Sequence, residues 1–161
     1  MEKFDDATLV HFLRRSYFTV DGLWFVKVEE KSSFEEALAL DEAVWTVMPK
    51  IQARKARQLL GIEGKSLKDL VRCFALKFAA EHYDYEVNWP TEHEVEITIG
   101  RCPWYEILTH SGREAIAKNI ADTICTNEYA GWTKEFSEEI GFTLEKRICS
   151  GDGKCLIRFK E

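Results

Sequence analysis

Apolar residues recur every three to four positions through most of the first eighty residues, which is the period of helices with one buried face. The first such run follows Asp5 and Asp6, both suitable N-cap residues, and is expected to end near Asp21-Gly22. Residues 23–30 are ambiguous, because their β-branched and aromatic side chains suit a strand as well as a helix. The opening of the chain therefore predicts one helix followed by a segment of either type.

Two more helical runs precede the middle of the chain. The first covers residues 34–60 and contains Pro49, which either kinks one helix or separates two. The second covers residues 67–81 and ends near His82. The candidate N-caps of these runs are Ser32, Ser33 and Ser66.

After His82 the hydrophobic period changes from that of a helix to that of a strand. Residues 83–89 and 93–99 alternate between apolar and polar, which predicts an antiparallel hairpin that turns at Trp89-Pro90. The remaining predicted elements are a helix over residues 111–125, a short helix over residues 132–140, and strands over residues 142–148 and 155–159 joined by a turn at residues 150–153.

Together these elements predict an α+β fold, in which an N-terminal helical bundle packs with a small antiparallel sheet and the further helices of the C-terminal half. Residues 1–161 are expected to form a single domain, because the chain has no internal repeat, low-complexity segment or linker rich in Pro, Gly or Ser. Within it, residues 1–82 form the helical half and residues 83–161 the mixed half. The boundary near His82 is one of topology and does not separate independent domains.

The charge balance argues against nucleic acid as a partner. Twenty-eight acidic and 22 basic residues give a formal net charge of -6, which creates no general attraction for phosphate backbones. The N-terminus lacks the apolar run of a signal peptide, and nowhere are there 18 consecutive apolar residues, so we expect a cytoplasmic protein without a membrane partner. An acidic helical domain this rich in aromatic residues is also a candidate homodimer.

Five cysteines in a chain without an export signal are expected to be reduced thiols. Three lie where side chains converge on a pocket: Cys102 after a strand, Cys125 at the end of a helix and Cys155 after a turn. Cys102 is the candidate nucleophile or ligand contact, and the alternative is that all three pack as small apolar core residues. The cationic residues that would favour its thiolate are Arg101, Arg113 and Lys154.

Other side chains near these cysteines suggest assisting groups or a metal site. Glu106 and His110 are candidate acid–base groups, since they share one face if their segment is helical. A metal ion would need Cys102, Cys125 and Cys155 to meet, together with a histidine. The chain has no CxxC pair, so no cofactor is predicted, and zinc, an iron–sulfur cluster or haem remain alternatives.

Several stretches carry a family resemblance. Residues 21–30 (DGLWFVKVEE) and 34–45 (FEEALALDEAVW) resemble the opening of an uncharacterised family of bacterial and archaeal cytosolic proteins, which favours helix for residues 23–30. Residues 101–106 (RCPWYE), the helix ending in Cys125, and residues 149–155 (CSGDGKC) with Phe159 resemble L-2-amino-thiazoline-4-carboxylic acid hydrolase-like proteins. More remotely, they resemble small-molecule-binding domains of the 4-vinyl reductase type.

The resemblance implies an α+β domain with a ligand cavity near the cysteines, and a thiol-dependent hydrolase acting on a cyclic compound with C–N and C–S bonds. We therefore expect a small-molecule-binding or hydrolase-like protein with Cys102, Glu106 and His110 as catalytic residues. The alternatives are a protein that binds a metal or cluster and a non-catalytic interaction module. The expected ligand contacts are Cys125, Cys155, Asp152, Trp104 and Arg101.

Overall fold

The structure is a computed structural model that describes residues 2–161. It has the predicted α+β composition, and this prediction is confirmed. In chain order, its elements are α1 (Asp6–Lys31), α2 (Phe34–Leu60), α3 (Leu67–Glu81), β1 (Asp84–Thr91), β2 (Glu94–Arg101), α4 (Pro103–His110), α5 (Glu114–Phe136), β3 (Gly141–Lys146), a 3-10 helix (Ile148–Ser150) and β4 (Cys155–Lys160). Among these helices, none is both long and apolar enough to cross a lipid bilayer.

The first helix begins as predicted but continues further. The carboxylate of Asp5 accepts a hydrogen bond of 2.7 Å from the backbone N–H of Thr8, which makes Asp5 the N-cap of α1. The predicted end near Asp21-Gly22 is wrong, because α1 runs through Gly22 to Lys31. One glycine inside a helix costs only about 1 kcal/mol, which a long run of helix-compatible residues offsets. The helical interpretation of residues 23–30 is correct.

The next two helices are also capped by serines that the sequence identified as candidate N-caps. The hydroxyl of Ser33 accepts a hydrogen bond of 3.1 Å from the N–H of Glu36, and α2 then continues through Pro49 as one helix. Ser66 and Asp69 form a reciprocal capping box at the start of α3. The helix ends at His82, which takes a left-handed conformation with φ of 64° and reverses the chain toward the sheet.

The sheet has four antiparallel strands in the order β1-β2-β4-β3. Both predicted hairpin strands are present, but the turn lies at residues 92–93 and not at Trp89-Pro90. Trp89 and Pro90 belong to β1, the strand at the edge of the sheet. An edge strand tolerates proline because its outward backbone N–H groups have no partner strand to lose.

The C-terminal half contains one long helix where two were predicted. A separate helix over residues 132–140 is wrong, because Trp132 lies in α5, which extends to Phe136. Tyr129, Trp132 and Phe136 are all buried and recur at helical spacing, so the apolar face continues without a break. The two closing strands are present as β3 and β4, but the first ends at Lys146, and Ile148, predicted to lie in it, begins the 3-10 helix.

The chain divides into two compact units, one ending at Asp41 and one covering Glu42–Glu161. The first contains α1 and the beginning of α2, with Phe25 and Phe34 packed edge to face at 5.8 Å. The second holds the main core, in which α3 and α5 pack against the sheet around Phe74, whose ring stacks on Trp132 at 4.5 Å. The single domain expected over residues 1–161 stays a prediction.

Within the second unit, α2 and α5 approach closely at Gly131. A Cβ atom at Gly131 would lie 2.8 Å from the Cβ of Pro49, a rigid ring that cannot rotate away. We expect Gly131→Ala to destabilise the fold by about 1–3 kcal/mol, although alanine normally favours a helix.

The matched control is Gly22→Ala in α1, where an added Cβ meets no atom within 4 Å. This change should be neutral or stabilise by about 0.5–1 kcal/mol. Urea unfolding followed by circular dichroism measures both variants. Equal or greater stability of Gly131→Ala would contradict the close approach of the two helices.

Candidate functional site

Cys102 lies between β2 and α4, as the N-cap residue of α4. Its position follows from Pro103, which starts the helix because proline has no N–H to leave unpaired in the first turn. The Cys102 thiol donates to the Tyr83 hydroxyl oxygen over 4.0 Å. Burial raises the pKa of Cys102 to about 11, and the backbone N–H of Tyr105, which lowers the pKa, does not offset this. The thiol is therefore protonated at neutral pH.

Three of the groups expected to assist Cys102, namely Arg101, Glu106 and His110, have other partners. Both carboxylate oxygens of Glu106 accept hydrogen bonds of 2.7 Å from the guanidinium of Arg101. Arg101 also donates to the backbone carbonyl of His82 at 2.8 Å. Glu106 and His110 do lie in one helix, but the His110 ring contacts the Glu106 backbone oxygen at 2.6 Å. Arg101, Glu106 and His110 thus each have other partners, and the hydrogen bond of the Cys102 thiol is to Tyr83.

The other two expected thiols lie in the same region as Cys102. All three cysteines are partly buried and pack against the main core. The pKa of Cys125 is raised well above its usual value, first by burial, then by the negative charge of Glu128, and then by the charge that Cys102 and Cys155 carry when ionised. Cys155 begins β4, and its sulfur accepts a 3.4 Å hydrogen bond from the N–H of Ile148. The fold thus brings together thiols that lie far apart in the sequence.

Two other expected ligand contacts have structural partners. The Asp152 carboxylate accepts a hydrogen bond of 2.8 Å from the N–H of Arg147, which holds the turn before β4. The Trp104 indole donates to the Glu81 carboxylate at 3.0 Å and packs edge to face on Trp45 at 5.6 Å. Their roles in binding a ligand stay predictions.

A buried ionic cluster was not predicted. Lys77 Nζ lies 3.0 Å from Glu81 Oε2 and 2.9 Å from Glu128 Oε1, and their side chains are only 4%, 7% and 7% exposed. The sequence signal was available, because Lys77 and Glu81 continue the apolar stripe of Leu70 and Phe74 on α3. Charged residues at core positions of a helix predict a buried pair.

The electrostatics of this cluster follow from its burial. Burial lowers the pKa of Lys77, but the charges of Glu128 and Glu81 outweigh it, and the net pKa lies above the usual value. Burial also raises the pKa of Glu128, and the charge of Lys77 opposes this only in part. The Lys77 ammonium thus holds two acidic side chains next to Tyr83, whose ring centre lies 5.0 Å from Nζ.

A metal ion held by the cysteines is the alternative that the sequence left open. Within residues 2–161, no group of three or more His, Cys, Asp or Glu side chains is arranged to hold a metal ion. A surface depression of about 240 Å³ lies between the end of α5 and the start of β3, around Thr133 and Phe142. No cysteine lines this depression. The metal alternative for Cys102, Cys125 and Cys155 therefore gains no geometric support in the described part of the chain.

Comparisons with known proteins give one family and one fold. Residues 3–152 match a family described as "Family of unknown function (DUF6125)". No curated protein matches the chain in sequence. Among solved structures, the chain resembles a trafficking protein particle complex subunit 3 from Naegleria fowleri covalently bound to palmitic acid. The TM-score is 0.63 at 14% identity, over 93% of this chain and 95% of that chain, which shows a shared fold.

The raised pKa of Cys102 predicts its reactivity. Because only the thiolate is alkylated, the rate of iodoacetamide labelling at Cys102 should be low at pH 7 and rise about tenfold per pH unit toward pH 11. Peptide mapping by mass spectrometry separates this residue from the other four cysteines. A labelling rate that is already at its plateau at pH 8 would show an activated thiol and contradict the effect of burial.

The ionic cluster predicts a large stability effect. Lys77→Met leaves two carboxylates buried without their cation, so we expect a loss of about 3–5 kcal/mol in the free energy of unfolding. The matched control is Lys118→Met, which removes an exposed ion pair with Asp122 and should cost less than about 1 kcal/mol. Equal effects of the two changes would contradict a buried cluster.

The pH dependence of Lys77→Met follows from the raised pKa of Glu128. The folded pKa of this acid lies above its unfolded value, so its ionisation destabilises the fold as pH rises through that interval. Removing Lys77 takes away the charge that lowers the folded pKa of Glu128, so the difference between its folded and unfolded pKa becomes larger. The stability difference between wild type and Lys77→Met should therefore be smaller at pH 5 than at pH 8, in urea titrations at both values, and a larger difference at pH 5 would contradict it.

Proposed function

Since the chain belongs to the DUF6125 family, whose description assigns no activity, we propose a function from its surface: a non-catalytic interaction module that assembles with protein through α1. The observation that carries this proposal is a row of exposed apolar side chains along that helix. We call this row the outer face of α1. It consists of Leu9, Phe12, Leu13, Val20, Leu23 and Trp24, which are 46%, 68%, 64%, 56%, 53% and 68% exposed.

These six positions form one continuous face. At about 100° per residue, they lie within roughly 60° of a single line along α1. Phe18, the buried residue of this helix, lies half a turn away from Leu9. The helix is thus apolar on two opposite sides. A helix with apolar residues on two opposite sides can bury one side in its own fold and the other against a partner.

A second exposed apolar stripe lies on the part of α2 that belongs to the second unit. Val44, Val47 and Ile51 recur at helical spacing and are 56%, 52% and 54% exposed. Contiguous exposed apolar surface of this kind marks protein interaction sites. Each of the two units therefore presents a surface of the type that a partner covers.

The shared fold also supports an interaction role. The similar protein from Naegleria fowleri is a subunit of a trafficking protein particle complex, so this fold serves as part of an assembly there. The chemistry of Cys102 points in the same direction, because a protonated thiol without a bound base is a poor nucleophile. We accordingly place the interaction role before the hydrolase that the sequence resemblance implied.

Small-molecule binding near the thiols is the second candidate function. It is supported by the position of Cys102, Cys125 and Cys155 in one region beside the buried ionic cluster. The similar trafficking subunit carries covalently bound palmitic acid, so an acyl group is one class of ligand to test. Intact-mass and native mass spectrometry of the purified chain, compared with Cys102→Ser, tests this candidate. An unmodified, unliganded wild-type mass would remove its support.

The interaction role predicts the state of the chain in its own cells. Tagged wild-type chain, isolated after mild cross-linking, should be found in an assembly larger than the 18.7 kDa of one chain. A double change, Leu13→Asp with Leu23→Asp, places charges on the outer face and should abolish that assembly. His11→Asp adds the same side chain to the opposite side of α1 and serves as control. Recovery of wild-type chain only at 18.7 kDa would overturn the proposal.

A further inference from the structure

We infer that the partner of the outer face of α1 is a second copy of this chain, paired through antiparallel α1 helices. This inference rests on the proposed interaction role and names its partner. It depends on three properties of the helix: the order of side chains along the outer face, the charges at its two ends, and the area that it exposes.

The order of side chains allows the face to pair with itself. With a two-fold axis near the middle of α1, an antiparallel copy places Leu13 opposite Leu23 and Phe12 opposite Trp24. The same register places Ser16 opposite Val20, so a small side chain faces a branched one at the centre. Large apolar residues thus meet in two pairs on each side of the centre, and beyond them Leu9 lies opposite Lys27, whose aliphatic stem can pack against it. This is the self-complementarity that a two-fold interface requires.

The end charges favour the antiparallel arrangement over the parallel one. Asp6 and Lys31 lie within about 20° of each other around the helix axis, at opposite ends of the outer face. In an antiparallel pair with this register, Lys31 of one copy lies opposite Asp5 of the other and one position from Asp6. The residue opposite Asp6 is Glu30, whose charge Lys27 pairs in its own chain. A parallel pair would instead place Asp6 against Asp6 and Lys31 against Lys31, which repel. Lys27, on the same face, already pairs with Glu30 at 2.6 Å in its own chain.

The exposed area fits a protein interface. Six apolar side chains with roughly 100 Å² exposed on each present about 600 Å² per copy. A stable interface of standard size buries about 800 Å² per partner. The outer face therefore supplies most of that area, and the polar side chains along its edges supply the remainder.

A lipid surface fits the helix less well. Helices that lie on membranes carry an excess of lysine and arginine on the polar side, which binds anionic headgroups. In contrast, α1 has four acidic and four basic residues, and the whole chain has a net charge of -6. This balance gives no attraction to an anionic bilayer and suits a partner with the same mixed charges, such as a second copy.

Sedimentation equilibrium of the purified full-length chain tests the inference. We expect twice the 18.7 kDa of one chain for wild type, and a dimer dissociation constant raised at least tenfold by Leu13→Asp and by Leu23→Asp. His11→Asp should leave the dissociation constant unchanged. Far-UV circular dichroism shows that each variant is folded, since all three changes are at exposed positions.

Cysteine cross-linking tests the orientation. The chain has no cysteine before Cys73, so a thiol placed in α1 reports on that helix. A mixture of differently tagged Leu13→Cys and Leu23→Cys chains should form the mixed disulfide dimer, several-fold more than either variant forms with itself. Self-linked Leu13→Cys as the main product would indicate parallel helices and overturn the antiparallel pairing.

The outcomes separate this inference from the role on which it rests. A purified wild-type chain that stays monomeric, or a dimer that Leu13→Asp leaves intact, overturns the inference. If the chain in cells still joins a larger assembly that the double change abolishes, a different protein covers the outer face and the interaction role stands. If the chain is monomeric in both settings and floats with neutral or anionic phospholipid vesicles, lipid is the occupant and both proposals fall.

Discussion

The account depends on the cost of leaving large apolar side chains in water. Burial of a leucine or phenylalanine side chain is worth about 1.5–3 kcal/mol, and a helix that exposes six such residues in a row forgoes most of that gain. Phe12 and Trp24 are each 68% exposed, although Phe18 on the other side of the same helix is buried. The outer face of α1 meets this constraint only when a partner covers it, and the proposed interaction role rests on that cost.

In the second unit, the constraint is a buried ionic cluster that has to keep all of its partners. Lys77 joins α3 to α5 through Glu128, and Glu81 on the same helix extends the contact to Trp104 on α4. Such a cluster adds little net stability over an apolar core, but losing one partner is costly, so it favours a single arrangement of these helices. The thiols of Cys102 and Cys125 lie beside it and are kept protonated by the same burial. The region is thus organised by ionic pairing, and burial raises the pKa of its thiols.

Local chemistry explains which parts of the fold were predictable from the sequence. Caps at Asp5, Ser33 and Ser66 depend on residues three or four positions away, and the hairpins depend on alternation over a few residues. The wrong predictions concern positions where the neighbouring residues or strands decide the local structure. Gly22 does not end α1, because its neighbours continue the helix, and Pro90 sits in β1 because that strand is at the edge of the sheet. No short-range signal reveals either of these conditions.

The candidate site was predictable only in part, for a similar reason. Three separated cysteines were expected to meet, and the structure places them in one region, but their pKa depends on burial that the sequence does not show. Arg101 was expected to activate Cys102, yet Glu106 binds it with both carboxylate oxygens. The buried ionic cluster was not predicted, although Lys77 is a charged residue on the apolar stripe of α3. The outer face of α1 was treated as an ordinary buried helix face, because periodicity alone does not show which side of a helix is covered.

Hydroxyl-radical footprinting of the wild-type chain at its cellular concentration tests the central claim most directly, because it measures the water access of Phe12 and Trp24 side chains. If a partner covers the outer face of α1, both should be oxidised several-fold more slowly than in a dilute, dissociated sample, while Leu59, 65% exposed on α2, keeps its rate. Oxidation of Phe12 and Trp24 at the same rate in both samples would contradict the account.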